Sequence, residues 1–315
     1  MGDRDLCFAG AKWPTEDTQK VVKYCRAEYS PLRGSTLRVG TLAGYRANEN
    51  TAIRDSREGS YVLHFNFQKP TTVSRDWLRA ISFGTSLLSD IRILGRITNV
   101  GNLGCSMQQF DDTMGIVCTN ESFIHGTANA NSMDIYGRWD VSFLQSDTLI
   151  FCMSCEDGVG SVINDEAYNS RWYVPMAKIG DFVEVLLRAV QREIRGFFLY
   201  RTPDFSPYRY TLGPPVNGLL PVPGAGLVYL EAWAGLVTYE SRSIIVRNPS
   251  DVTRDGVEDR FRTSAFRKDI DFSSEKEFRI VISVLAKVGE HFFKPSYHFS
   301  FLDVSLEDLR AVCEH

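Results

Sequence analysis

Glu275-Lys276-Glu277-Phe278-Arg279 is the stretch of this 315-residue chain whose residue types and spacing best suit chemistry. Side chains two apart on a strand share one face. Glu275, Glu277 and Arg279 would then project together, with Phe278, Ile280 and Ile282 turned to a core. Two carboxylates so placed suit work at a ribosyl carbon. One holds a ribose hydroxyl and stabilises the positive charge that develops as a leaving group departs; the other orients or deprotonates the acceptor. The plain alternative is a solvated strand face on which Arg279 pairs with a glutamate.

Two further segments could complete such a site. Leu37-Arg38-Val39-Gly40-Thr41-Leu42 places an arginine at a strand end, where it could grip a phosphate bidentately. Its glycine would let a ligand approach the backbone, and Tyr45-Arg46 follow directly. Phe151-Cys152-Met153-Ser154-Cys155 sets a serine in an otherwise apolar strand. Glu277 and Glu275 are therefore the candidate catalytic pair. Arg38, Gly40, Thr41, Tyr45, Arg46 and Ser154 are the candidate cofactor-binding residues. The ordinary readings are a surface arginine at a turn and a serine bonded to backbone.

The elements that must position these residues are mostly strands. Strand-like runs fall at 37–42, 61–67, 149–155, 197–200, 227–230, 236–239, 277–284 and 297–302. Val21, Val22 and Cys25 suggest a helix over 15–28. The clearest helix spans 181–195, with Asp181 as N-cap and Gly196 as its stop. A proline-rich loop covers 202–226, and Ser305 to Asp308 offers a capping box. Short apolar runs such as 91–94, 115–118 and 141–144 fill the middle. The pattern predicts an α+β fold with a bent, mostly antiparallel sheet core and few helices. No low-complexity linker interrupts it. One domain over 1–315 is expected, with 72–146 as an internal strand-rich elaboration.

Composition narrows the function classes. Lys and Arg number 35 against 39 Asp and Glu, so binding nucleic acid through bulk positive charge is disfavoured. Seven scattered cysteines argue against a disulfide framework and for a reducing cytoplasm. Cys152 and Cys155 form a lone C-x-x-C without a second pair or an H-x3-H, so no zinc is expected. Three residues apart in a strand they would lie about 10 Å apart, beyond the roughly 7 Å a disulfide spans. The start, Met1-Gly2-Asp3-Arg4-Asp5, does not read as a signal peptide. No run of about 18 apolar residues suggests a membrane span. A metal nuclease is disfavoured because no two carboxylates and a lysine fall at suitable spacing.

Taken in order, Arg38, Ser154 and Glu277 with Glu275 resemble the arginine, serine-strand and E-x-E pattern of ADP-ribosyltransferases. That resemblance implies NAD as substrate, with Arg38 on its phosphates or ribose and Ser154 bracing the pocket. It implies Glu277 acting on the nicotinamide ribose and Glu275 handling a protein or nucleic-acid acceptor. A second resemblance covers more of the chain. Gly40-Thr41-Leu42, Tyr45-Arg46, Glu49, Arg54-Asp55 and Glu58-Gly59, then Phe151 to Ser154, Tyr168 to Tyr173 read as an aromatic helix start, and Glu275 to Arg279, are similar to an uncharacterised bacterial family often associated with phage defence. That resemblance implies a place in phage defence and says little about a reaction, so two readings stand: an NAD-consuming transferase acting as a toxin-like effector, or a non-catalytic module that recognises a nucleotide or a phage protein and signals to a defence partner.

Overall fold

The computed structural model describes residues 13–14, 18–31, 33–47, 58–74, 77, 117–119, 125–128, 132–144, 148–155, 169–200, 220–225, 228–288, 291–293, 299–305 and 309–313. Glu49, Arg54, Asp55 and Tyr168, the run 91–94 and most of the proline-rich loop lie outside them. The strands are β1 (Lys20–Cys25), β2 (Thr36–Thr41), β3 (Ser60–Ser74), β4 (Val117–Thr119), β5 (His125–Ala128) and β6 (Ser132–Leu144). Then come β7 (Leu149–Cys155), β8 (Ser170–Pro175), β9 (Leu220–Pro221), β10 (Val228–Leu236), β11 (Thr238–Tyr239) and β12 (Ser243–Val246). Last are β13 (Arg267–Lys268), β14 (Glu277–Val288), β15 (His291–Phe293) and β16 (Phe301–Ser305). The helices are α1 (Leu42–Arg46), α2 (Ile179–Tyr200) and α3 (Arg254–Arg262).

The fold is α+β with mostly antiparallel sheets. It divides into two compact units, where the sequence suggested a single domain. The first unit draws on residues 1–59, 146–240 and 265–315, the second on 60–145 and 241–264. The second unit takes in nearly all of the 72–146 stretch and draws also on 60–71 and 241–264. β3 and β6 pair over most of their length, and β12 joins β3 in parallel. Leu63, Phe65 and Phe67 are sealed there, and Trp77 stacks edge-on to Phe65. The Trp77 indole N–H donates to the carbonyls of Pro249 and Val252, tying 241–264 to 60–145. An insertion that leaves and re-enters at strand ends needs no linker, so composition along the chain does not mark it.

In the first unit a nine-stranded sheet runs in the order β16-β2-β7-β14-β10-β9, with β1 pairing both β7 and β8 and β15 pairing β14. α2 covers one face. Its buried stripe is Ile179, Phe182, Val183, Leu186, Val190 and Ile194, at the three-to-four spacing of a helix face. It packs on Phe151, Phe278, Ile280 and Ile282, and on Trp172, whose ring lies 5.7 Å from that of Phe182. Each such aliphatic side chain removed from water contributes about 1.5–3 kcal/mol. Among the described residues no helix is long and apolar enough to cross a membrane.

Several local expectations are corrected. Residues 20–25 form a strand, not part of a helix, because Val21-Val22 is β-branched and two neighbouring strands pair with it. Gly196 does not stop α2, which runs on through Tyr200 where a strand was expected. Trp172 and Tyr173 belong to β8 rather than to a helix start. Beyond Ser305, residues 306–308 lie outside the described set and a single 3-10 turn spans Leu309–Ala311.

Candidate functional site

β14 divides its side chains as alternation requires. Phe278, Ile280 and Ile282 enter the α2 core, and Glu277, Arg279 and Val281 face the other way. That second face is also covered. Leu42 of α1, Ile150, Trp233, Ala265, Phe266 and Val281 form a separate apolar cluster upon it. Glu277 and Arg279 are consequently only 5 % and 1 % exposed. Charges so far from water must find partners, because an unpaired one costs several kcal/mol.

The partners are arranged with care. The Arg279 guanidinium grips Glu277 bidentately, Nε to Oε1 at 2.9 Å and Nη2 to Oε2 at 3.0 Å. Its Nη1 donates to the Ala265 carbonyl at 2.5 Å and meets Glu58 Oε1 at 2.7 Å. Lys268 Nζ lies 2.6 Å from Glu275 Oε2 and 3.5 Å from Glu277 Oε2, and sits over the Phe272 ring. The Tyr239 hydroxyl accepts from the Glu277 N–H at 2.7 Å. Three carboxylates and two cations share one enclosure.

The sequence signals upstream build this enclosure. Thr41 accepts from the Gly44 N–H and so caps α1. Gly40 leaves room for the Tyr45 ring, which a Cβ there would meet at 2.6 Å. Gly59 has φ +67°, and a Cβ there would strike Leu42 at 2.5 Å. Arg46 Nε donates to the Glu58 carbonyl at 2.7 Å, which fixes the segment presenting Glu58 to Arg279. The G-T-L, Y-R and E-G elements therefore meet the E-x-E-F-R element at one place.

Electrostatics follow from burial and pairing. Burial opposes charge on Glu277, but the Arg279 and Lys268 cations outweigh it and hold the carboxyl well below the usual range. Glu275 goes the other way. Burial, then the Glu277 carboxylate, push it up to about 7, with Lys268 opposing. Burial and the neighbouring Glu277 push the Cys152 thiol up to about 12. Burial, with Cys152 and Glu277 beside it, raises the Tyr45 hydroxyl as well.

The predicted site residues fall into two groups. Glu275, Glu277, Gly40, Tyr45 and Arg46 contribute to the enclosure. Glu275 does so from a 3-10 turn, Ile270–Glu275, rather than from the strand, because Lys276 turns the chain through a left-handed conformation. Thr41 Oγ1 accepts from the Gly44 N–H at the cap, and Arg46 Nε donates to the Glu58 carbonyl. Arg38 stands apart. It pairs with Asp303, Nε to Oδ1 at 3.0 Å, both about one-third exposed, and its guanidinium lies 3.6 Å from the Phe301 ring centroid and 4.1 Å from that of Tyr29. Ser154, half-buried, is the cross-strand neighbour of Glu277. The β2, β7 and β14 strands are consecutive in the sheet, and their registers place Arg38, Ser154 and Glu277 on one face.

Sequence reasoning missed Lys268, which carries no motif, and gave Glu58 no role of its own although it is 2 % exposed. Cys152 and Cys155 are both free thiols. Cys152 packs on the enclosure side and Cys155 on the α2 side, as opposite faces of β7 require. Among the described residues no grouping of His, Cys, Asp and Glu could hold a metal. No family model, curated protein or solved structure matches this chain.

Proposed function

We propose that the protein recognises a nucleotide, NAD in the first instance, around the partly exposed Arg38 of β2, beside the covered part of that sheet face where Glu277 is buried, and signals within a defence system without consuming the ligand. One observation carries this reading. Arg38, partly open to solvent, shares a face with Ser154 and Glu277, while both oxygens of Glu277 are held by Arg279. An arginine with aromatic neighbours suits a phosphate and a base, and a phosphate there would displace the Asp303 carboxylate that now meets Nε and Nη2 of the partly exposed guanidinium. A carboxylate that is 5 % exposed and already neutralised by a guanidinium fork is shielded from a ribose on which positive charge develops.

The adjacency of the arginine, serine and glutamate strands favours a second reading, an NAD-consuming ADP-ribosyltransferase that modifies a protein or nucleic acid. Turnover would then require Glu277 to leave Arg279. Incubating the full chain with NAD labelled in the nicotinamide ring separates the two. Recognition predicts retained NAD and no free nicotinamide, with or without cell lysate. Release of nicotinamide that Glu277→Gln abolishes would establish NAD cleavage at Glu277 and overturn recognition, and label in the adenylate half appearing on protein or nucleic acid would make that cleavage a transfer.

A further inference from the structure

One edge of β7 is open in mid-strand. β14 pairs along the other edge from Leu149 to Ser154. On the open edge β1 meets only Cys155 and Ser154, through Val21 and Val22, and β2 meets only Ile150 and Leu149, through Gly40 and Thr41. Beyond those pairs β1 continues along β8 and β2 along β16. Among the described residues no strand meets β7 at 151–153 on this edge. One residue of an antiparallel strand points its N–H and C=O to the same side, and Cys152 turns its pair into the gap. A side chain stands where a strand would: Lys23 Nζ donates to the Cys152 carbonyl at 2.7 Å and lies 4.8 Å from the centroid of the Phe151 ring.

The polar groups around the gap are largely unspent. Lys23 is half-buried, its stem on Phe151 and its ammonium at the sheet edge. Among the described residues the Cys152 carbonyl is its only hydrogen-bond acceptor and no carboxylate pairs with it, so two of its three N–H groups are available. Ser154, also half-buried, gives its hydroxyl to no described residue. Gly40 lies opposite Ile150, so two residues back along β2 Arg38 comes level with Cys152, on the face that carries Ser154. Asp303 meets Nε and Nη2 of Arg38, not Nη1. Lys23 and Arg38 thus flank one gap from its two arms. The Lys23 charge also reaches the Cys152 thiol, where it opposes the upward push of burial and of Glu277.

We infer that the gap between β1 and β2 is a diphosphate subsite, with Lys23 on one phosphate, Arg38 on the other and the Ser154 hydroxyl donating to either. Two cations from separate arms suit two linked phosphates better than one. Arginine offers a planar fork and lysine a compact charge with rotatable donors, and both are phosphate ligands. Nothing in this arrangement disturbs the buried Glu277–Arg279 pair. Lys23 is then the second phosphate-binding residue of the nucleotide site, and in assigning the diphosphate to a nucleotide the inference rests on the recognition reading above.

Calorimetric titration of inorganic pyrophosphate, and separately of NAD, into the full chain tests it. Lys23→Met keeps the stem and removes the charge; Lys23→Gln keeps a donor for the Cys152 carbonyl. Each should weaken both ligands by about tenfold to a hundredfold, the range for losing a hydrogen bond to a charged group. Amine acetylation of the wild-type chain, read by peptide mass, supplies a measure that needs no variant to fold. Pyrophosphate at about ten times its dissociation constant should slow labelling of Lys23 about tenfold and leave the exposed Lys69 unchanged. Absence of pyrophosphate binding, unchanged affinity in a folded variant, or Lys23 labelling indifferent to pyrophosphate overturns the subsite. NAD binding that needs Arg38 but not Lys23 also overturns it, and leaves nucleotide recognition standing. Pyrophosphate binding that needs Lys23, with no binding of NAD, upholds the subsite and overturns that recognition.

Discussion

Replacing Arg279 by Met should cost the first unit much of its stability. In the folded protein Arg279 makes two charge-assisted hydrogen bonds to Glu277, one ion pair to Glu58 and one bond to the Ala265 carbonyl. Methionine fills similar volume and supplies none of these. Glu277 would keep the 3.5 Å contact to Lys268 and its hydrogen bond with the Cys152 thiol, while its own N–H, donated to the Tyr239 hydroxyl, holds backbone and not charge. Breaking a buried pair in this way typically costs about 3–5 kcal/mol, a large part of a total that is usually about 5–15 kcal/mol. Urea unfolding followed by far-ultraviolet circular dichroism and by tryptophan fluorescence measures it, since Trp233 packs in the apolar cluster beside Arg279. The double variant Arg279→Met with Glu277→Gln should be less damaged than the sum of the singles, by about 0.5–3 kcal/mol. A loss within about 1 kcal/mol for Arg279→Met would place the pair among exposed salt bridges and refute the account of a buried charge enclosure.

Arg38→Ala should leave stability within about 1 kcal/mol, because its pair with Asp303 is one-third exposed, yet weaken NAD binding in a titration. Gly40→Ala should displace the Tyr45 ring, since a Cβ would come within 2.6 Å of it, and cost stability typical of overpacking, about 1–3 kcal/mol, read as a lower melting temperature. Glu275 also sets a pH dependence. Its folded acidity range, raised to about 7 from 4.5, means the folded chain binds more protons than the unfolded one between those values. Stability should therefore fall as pH rises through that window, by at most about 1.4 kcal/mol per unit, and Glu275→Gln should flatten the slope. Glu277 has the opposite sign: its contribution is present above the usual carboxylate range and is lost as pH falls through and below it, so unfolding midpoints should also drop on strong acidification.

Local pattern made the sheet legible. The alternation in Tyr61 to Phe67, the apolar run of β7 and the stripe of α2 each appear where period-two or period-3.6 spacing places them. Val21-Val22 misled because apolar residues at i, i+1 and i+4 fit both periods, and only pairing with β7 and β8 decides. The second unit was hidden because its pieces, 60–145 and 241–264, are distant in sequence and joined by β12 pairing with β3. The enclosure was half legible. Glu277 and Arg279 follow from strand alternation, but Lys268 and Glu58 arrive through tertiary contacts that no short spacing encodes. Glu275 was placed on the right partner set for the wrong local reason, since a turn rather than a strand brings it in.

Titration calorimetry of NAD into the full chain tests the proposed recognition most directly, with nicotinamide assayed in the same cell at the end. Saturable binding that Arg38→Ala weakens, with no nicotinamide formed, is the predicted result. No binding heat at any workable concentration, or binding of equal strength in wild type and Arg38→Ala, would contradict it.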